Sequence, residues 1–158
     1  PEIIDFLFAV CHYGLEDFET AETHFIRIAA GDSLTTQKIE ELFSNKKMLH
    51  RPNPAFISTL SLIIPGSGQI LIQDFKEGLN STILVGGLGI VAVVVGIRYS
   101  FIDAVLTVIP WYQRYLVGGS SKAKELAILK RKRNRQLMYL EILKALEPYR
   151  NNFVFRYK

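Results

Sequence analysis

From Gly78 to Ile97 the chain runs for twenty residues without a charged side chain. At about 1.5 Å per helical residue, that length matches a bilayer's hydrocarbon core of about 30 Å. A lipid-exposed segment must satisfy its own backbone hydrogen bonds, so a spanning stretch of this kind is a helix. Its small residues, Gly86, Gly87, Gly89, Ala92 and Gly96, are expected to let another helix approach closely. Arg98-Tyr99 closes the span at an interface. Residues 101–117 supply a second candidate span, with Pro110, Trp111, Tyr112 and Tyr115 as interfacial anchors. The two read as a helical hairpin, against the competing reading of a buried helix pair in a larger soluble protein. A hydrophobic share of 49% is high for a soluble domain and favours the membrane.

Charge is partitioned around this segment. Residues 1–54 hold nine Asp/Glu against five Lys/Arg, and residues 114–158 hold twelve Lys/Arg against three Asp/Glu. The net charge of +4 is therefore a property of the tail.

Pro52-Asn53-Pro54 breaks the chain ahead of a further apolar stretch, 55–73, which Pro65-Gly66-Ser67-Gly68-Gln69 interrupts. Proline removes a donor and glycine relaxes the backbone, so a straight helix cannot pass. The ten residues before the break are too few to cross a bilayer. The expectation is two short helices around a turn, re-entrant in the membrane, giving a membrane domain over 55–118.

Residues 1–50 read as helical. An apolar first helix runs to about Tyr13, where Gly14 permits a turn. Phe18, Ala21, Phe25, Ile28 and Ala29 recur at three- and four-residue spacing on an amphipathic second helix. Gly31-Asp32-Ser33 ends it, and Thr35-Thr36 is expected to cap a third helix through Leu42-Phe43. Beyond Gly118-Gly119, a separate basic helix is expected over 121–147, within a tail of 120–158. It carries a stripe of Leu126, Leu137, Leu140, Leu143 and Leu146, and Pro148 stops it. The aromatics Tyr149, Phe153, Phe155 and Tyr157 follow.

Little in the chain points to catalysis. The lone Cys11 excludes an intrachain disulfide and a cysteine zinc site, and is expected to be a small buried side chain. His12, His24 and His50 lack metal-ligand spacing. Ser67 lacks the strand–turn–helix setting of a nucleophile, and its glycine turn lacks the Lys-Ser/Thr of a phosphate loop. No catalytic residue, metal or cofactor is expected, and the chain reads as a non-enzyme. Lys130, Arg131, Lys132, Arg133 and Arg135 follow a membrane segment, so a lipid-headgroup and topology role outweighs nucleic-acid binding. Asp103 lies near the end of its span, within reach of the interface or of Arg98.

Tyr13-Gly14, Phe18, Ala21 and Phe25 resemble one tetratricopeptide-type helical hairpin, in which small residues sit at a close crossing and aromatics fill the groove. One such unit cannot bury its own apolar face. The resemblance therefore implies further repeats before Pro1 or a partner in the groove lined by Tyr13, Phe18, Ala21 and Phe25. The stretch from Ser61 through Pro65-Gly66-Ser67-Gly68-Gln69-Ile70, then Asp74-Phe75-Lys76-Glu77-Gly78, resembles the PGxGQ signature of small bacterial helical membrane domains, which in several proteins follow tetratricopeptide-like helices. Ile70, Leu71 and Gln73-Asp74 depart from the aromatic and glycine that often follow the Gln. The resemblance implies a multi-pass bacterial inner-membrane protein without enzymatic chemistry.

A re-entrant 55–73 puts both chain ends on the cytoplasmic side, with Lys46, Lys47 and Arg51 beside the 122–135 cluster. A fully spanning 55–73 puts the acidic N-terminal region outside. Charge placement favours the first and makes the tail cytoplasmic. The functional expectation is an all-α, membrane-anchored interaction or assembly subunit. Its expected partners are membrane lipid and other membrane subunits, with no nucleic acid and no small-molecule substrate evident. The alternative is a small transport or channel component using the broken PGSGQ segment.

Overall fold

The computed structural model describes residues 2–152, with the backbone alone for 150–152, and every regular element among them is helical. The fold divides into two compact units, one built from Pro1–His50 with Arg133–Lys158, the other from Arg51–Lys132. A long helix, α7 (Phe101–Ala145), supplies residues to both.

In the first unit, α1 (Glu2–Gly14) and α2 (Phe18–Ile28) pair, and α3 (Ser33–Ser44) packs on α2. The left-handed residue of the first turn is Glu16 (φ 67°), not Gly14, which stays in α1. Asp17 caps α2 by accepting from the Thr20 amide. Asp32 caps α3 by accepting from the Leu34 amide, in place of the expected Thr35-Thr36. The Thr35 hydroxyl instead donates to Asp32 at 2.6 Å. Exposed carboxylates in these roles are held below their usual pKa, in both cases chiefly by side-chain hydrogen bonds, from Thr20 to Asp17 and from Thr35 to Asp32.

The amphipathic spacing of α2 then does what it predicts. Phe18, Ala21, Phe25 and Ile28 turn inward against Ile39 and Phe43 of α3, Leu49, and Ile142, Ala145 and Leu146 near the end of α7. Met138, Tyr139 and Tyr149 pack on the same core, whereas Leu137 and Leu140 are exposed. Of the expected leucine stripe, Leu146 joins this core and Leu126 packs in the other unit, while Leu137 and Leu140 turn outward. Cys11 is exposed, not buried. Phe153, Phe155 and Tyr157 lie outside the described residues.

In the second unit, α4 (Pro54–Ile63) starts on an Asn53 cap with Pro54 in its first turn, where a missing amide costs nothing. A turn at Ile64–Gly66 leads to the short α5 (Ser67–Leu71), and α6 (Phe75–Arg98) follows an Asp74 cap. Two short helices thus flank the Pro-Gly turn, as its chemistry requires. No helix starts after Gly118-Gly119: α7 continues through both glycines and through Pro110 to Ala145, so 120–158 is no separate unit. Pro148 sits in a 3₁₀ turn, Glu147–Asn152, beyond the helix end.

Candidate functional site

The second unit is organised around the PGSGQ turn. Gly66 has φ +86°, a left-handed backbone that glycine adopts without strain. A Cβ there would overlap the Gly78 carbonyl oxygen and the Thr82 hydroxyl, so the turn sits directly against α6. Thr82 Oγ1 donates at 2.9 Å to the Pro65 carbonyl, fixing the contact. Pro65 and Gly66 thus set the path of the turn, while Gly68 lets it close against α4, its missing Cβ giving room to Ile57 and Ser61.

Gln69 is 1% exposed, and both ends of its side-chain amide are hydrogen-bonded. Its Nε2 donates to the Gly119 carbonyl at 2.9 Å, and its Oε1 accepts from Ser61 Oγ at 2.9 Å. Ser61 Oγ in turn accepts from the Gly68 amide at 3.0 Å. A second link joins Ser58 and Ser120, whose hydroxyls lie 2.9 Å apart, with Ser120 also placed to donate to the Ser58 carbonyl. These bonds tie α4 and α5 to α7 in a region where apolar burial is slight: Ile57, Ile72, Ala123 and Ala127 alone form its buried cluster. Buried polar groups stabilise only when paired, and each of these side chains has a partner.

The α6–α7 seam uses small residues. Ala104 approaches the open edge of Gly96, and Ser81 lies so close to Gly119 that a Cβ would crowd its hydroxyl at 2.8 Å. Gly89, Ala92 and Gly96 line an apolar groove of about 470 Å³ with Ala104, Val108 and Tyr112. Gly86 and Gly87 face open space, so no helix of the chain itself meets them.

Phe75–Arg98 is the one helix, among the described residues, long and apolar enough to cross a membrane. It has 24 residues, a mean hydropathy of 2.1 over its most apolar stretch, and 6% of that stretch buried. Residues 101–117 fall short of the second span expected for them, because Asp103, Gln113 and Arg114 interrupt the apolar run. Asp103 is exposed and makes no ion pair with Arg98.

Three further expectations change. Phe18, Ala21 and Phe25 are at most 3% exposed within their own unit, and the half-buried Tyr13 donates its hydroxyl to the Arg135 carbonyl at 2.8 Å. The groove assigned to a partner is filled by α3 and the end of α7. Arg135 is no headgroup ligand: its guanidinium pairs with Glu16, donates to the Leu49 carbonyl at 2.9 Å and lies 5.5 Å over the Phe18 ring. Lys130 likewise turns inward and donates at 2.8 Å to the Ile72 carbonyl. Of the basic run, Lys132 and Arg133 remain exposed and Arg131 half-buried.

Sequence reasoning missed a cleft of about 370 Å³ between α6 and α7, apolar over most of its surface but ringed by polar side chains. Gln69, Glu77, Asn80, Ser81, Arg114, Tyr115 and Lys122 line it, with Gly118 and Gly119 on its α7 side. The available signal was the spacing Arg114–Gly118–Lys122, which puts two cations and a gap on one helix face. His12 and His24 stack with Phe8, and their Nδ1 atoms lie 3.0 Å from Asp17 and 2.7 Å from Asp5 respectively. Among the described residues, no three His, Cys, Asp or Glu side chains converge as a metal site.

Comparison of the chain with protein-family models, curated proteins and solved structures gave no significant match.

Proposed function

We propose that the chain is a membrane-anchored, non-enzymatic interaction or assembly subunit of a bacterial inner-membrane complex. The observation that carries this reading is α6: a helix of spanning length of whose most apolar stretch only 6% is buried by the rest of the chain. The core helix of a soluble protein would be buried. An apolar helix left open requires lipid, a partner's helix, or both.

In this reading α6 crosses the bilayer and the apolar start of α7 lies beside it, presenting Phe101, Ile102, Leu106 and Ile109, all exposed, to lipid. Segments α4 and α5 form the re-entrant element, with exposed Leu62, Ile63, Ile64 and Leu71 facing acyl chains. Gly86 and Gly87, open on α6, form the contact for a partner's helix. The N-terminal helices keep a tetratricopeptide-like hairpin, but its partner-facing surface lies outside the filled groove. The transport alternative draws less support, since both ends of the Gln69 amide are already occupied.

The test is purification of the tagged chain in mild detergent with quantification of what accompanies it. A membrane protein in stoichiometric amount, released by Gly87→Leu, is the expected result. A clean monomer or homo-oligomer overturns the assembly reading.

A further inference from the structure

We propose that the cleft between α6 and α7 binds a phosphate ester, held by Arg114 and Lys122 and supplied by the headgroup of an anionic phospholipid. The inference rests on the membrane reading above and adds a site to it.

Several cations of the chain are held by groups of the chain itself. Arg135, Lys130, Lys46 and Lys144 are each engaged by a carboxylate or carbonyl. Arg114 has no hydrogen-bond acceptor and no carboxylate partner among the described residues, although it lines a cleft. It sits on α7 between the exposed aromatics Trp111, Tyr112 and Tyr115, beside the apolar belt. Arg114 is itself exposed, so its guanidinium is free to take a counter-anion at that boundary. The lining itself holds one carboxylate, Glu77, against two cations, Arg114 and Lys122. Lys122 is engaged only by Glu125, at 3.3 Å across one turn of an exposed helix surface, a pairing of small energy that an incoming anion can replace.

The shape matches the charge. Arg114 and Lys122 are eight residues apart, about 12 Å along the helix. Gly118 lies midway, and nothing stands within 4 Å of the position a side chain there would take. Two long cationic side chains can therefore converge from either end on an open floor. Across it, α6 supplies Asn80 and Ser81, neutral donors suited to phosphate oxygens, with Leu84 and Val85 closing the apolar side. Guanidinium geometry fits two phosphate oxygens at once, which makes Arg114 the principal ligand. The apolar wall and flanking aromatics suit a tethered headgroup better than a free ion.

The experiment uses the full chain in neutral detergent, titrated with phosphatidylglycerol, with phosphatidylcholine and with soluble glycerol 1-phosphate, while native mass spectrometry counts retained ligand. Arg114→Gln removes the principal ligand. Gly118→Leu fills the floor while leaving both cations in place, and Lys124→Gln removes an exposed α7 charge outside the cleft. Retention of phosphatidylglycerol over phosphatidylcholine, weakened about tenfold or more by the first two variants and unchanged by the third, is the expected result; loss of one charge-assisted contact is of that size. Equal retention by wild type, Arg114→Gln and Gly118→Leu overturns the site. Binding of glycerol 1-phosphate with the same variant pattern and no lipid preference keeps the phosphate chemistry and overturns the lipid source. Carbonate washing of cell membranes, run on the same proteins, separates the two readings. A chain that resists the wash but ignores phosphatidylglycerol keeps its anchor and loses the site. A chain that washes off loses the anchor instead.

Discussion

The two units use opposite means to hold helices together. Around Phe25 and Phe43 the chain gathers a dozen buried apolar residues, and polar side chains serve as caps at the surface. Around Gln69 it buries few apolar groups, joins helices through serines, an amide and glycine contacts, and turns its large apolar side chains outward. The first arrangement draws on the removal of apolar surface from water. The second fits an environment where exposing apolar surface costs little and interhelical hydrogen bonds and close packing decide association. The two units are thus held by different forces, and substitutions should damage one while sparing the other.

The largest effect is expected from Phe25→Ala. Phe25 is completely buried between α2 and α3, its ring 6.2 Å from that of Phe43, and truncation of such a residue costs about 3–5 kcal/mol through lost transfer energy and the cavity left behind. Hydrogen exchange at α1–α3 amides should accelerate to near the unfolded rate. Trp111, the chain's one tryptophan, lies in the other unit, and its fluorescence transition in detergent should stay where it was. A shift of both signals together would show one cooperative body and break the comparison.

The converse substitution is Gln69→Leu. It keeps approximate volume but strands the Ser61 hydroxyl, buried at 2% exposure, and removes the bond to the Gly119 carbonyl. An unmatched buried polar group costs about 1–3 kcal/mol. The Trp111 transition should move to lower denaturant while α1–α3 exchange is unchanged. The double change Ser61→Ala with Gln69→Leu should recover nothing, since the Gly68 amide that donates to Ser61 Oγ is then unpaired as well. If the single variant is neutral, the polar network is not what holds the second unit.

How far the sequence predicts this architecture depends on how local each determinant is. The helix of α6 follows from an uncharged run, the turn at Pro65-Gly66 from two residues that leave no alternative, and the inward face of α2 from spacing alone. Three features depend on distant residues. Gly118-Gly119 reads locally as a break, yet Ser81 and Gln69 meet Gly119 inside a continuous helix, where its missing side chain allows the approach. Arg135 reads as part of a charged run, but its role is set by Glu16 and Leu49, more than eighty positions away. The partner groove failed as an expectation because the chain's own α7 returns to fill it, a match between Phe25 and Ile142 that no local pattern encodes. The cleft is intermediate: its cations share a helix face, but Asn80 and Ser81 join them only through the antiparallel packing of α6 on α7.

The smallest expected effect is a pH limb confined to the first unit. Burial pushes the Tyr13 phenol up to about 12 from 10.0, with the Arg135 guanidinium acting against the rise. A group whose folded pKa is raised contributes stability that is complete below the unfolded value and is lost as pH climbs toward the folded one. The first unit should therefore weaken between about pH 10 and 12, where the unfolded phenol ionises and the folded one, donating to the Arg135 carbonyl, does not. Asp17 and Asp32 give a limb of the opposite sign. Their pKa values are lowered on folding, so their contribution is present above the unfolded 3.8 and fades as pH falls below it. Tyr13→Phe should lose about 1 kcal/mol at neutral pH with its hydrogen bond, yet flatten the alkaline limb. Thermal melts of the full chain in neutral detergent, followed by far-ultraviolet circular dichroism from pH 8 to about 12, read both. An alkaline limb that persists in Tyr13→Phe would assign the titration to another group and remove Tyr13 from the forces that distinguish the first unit.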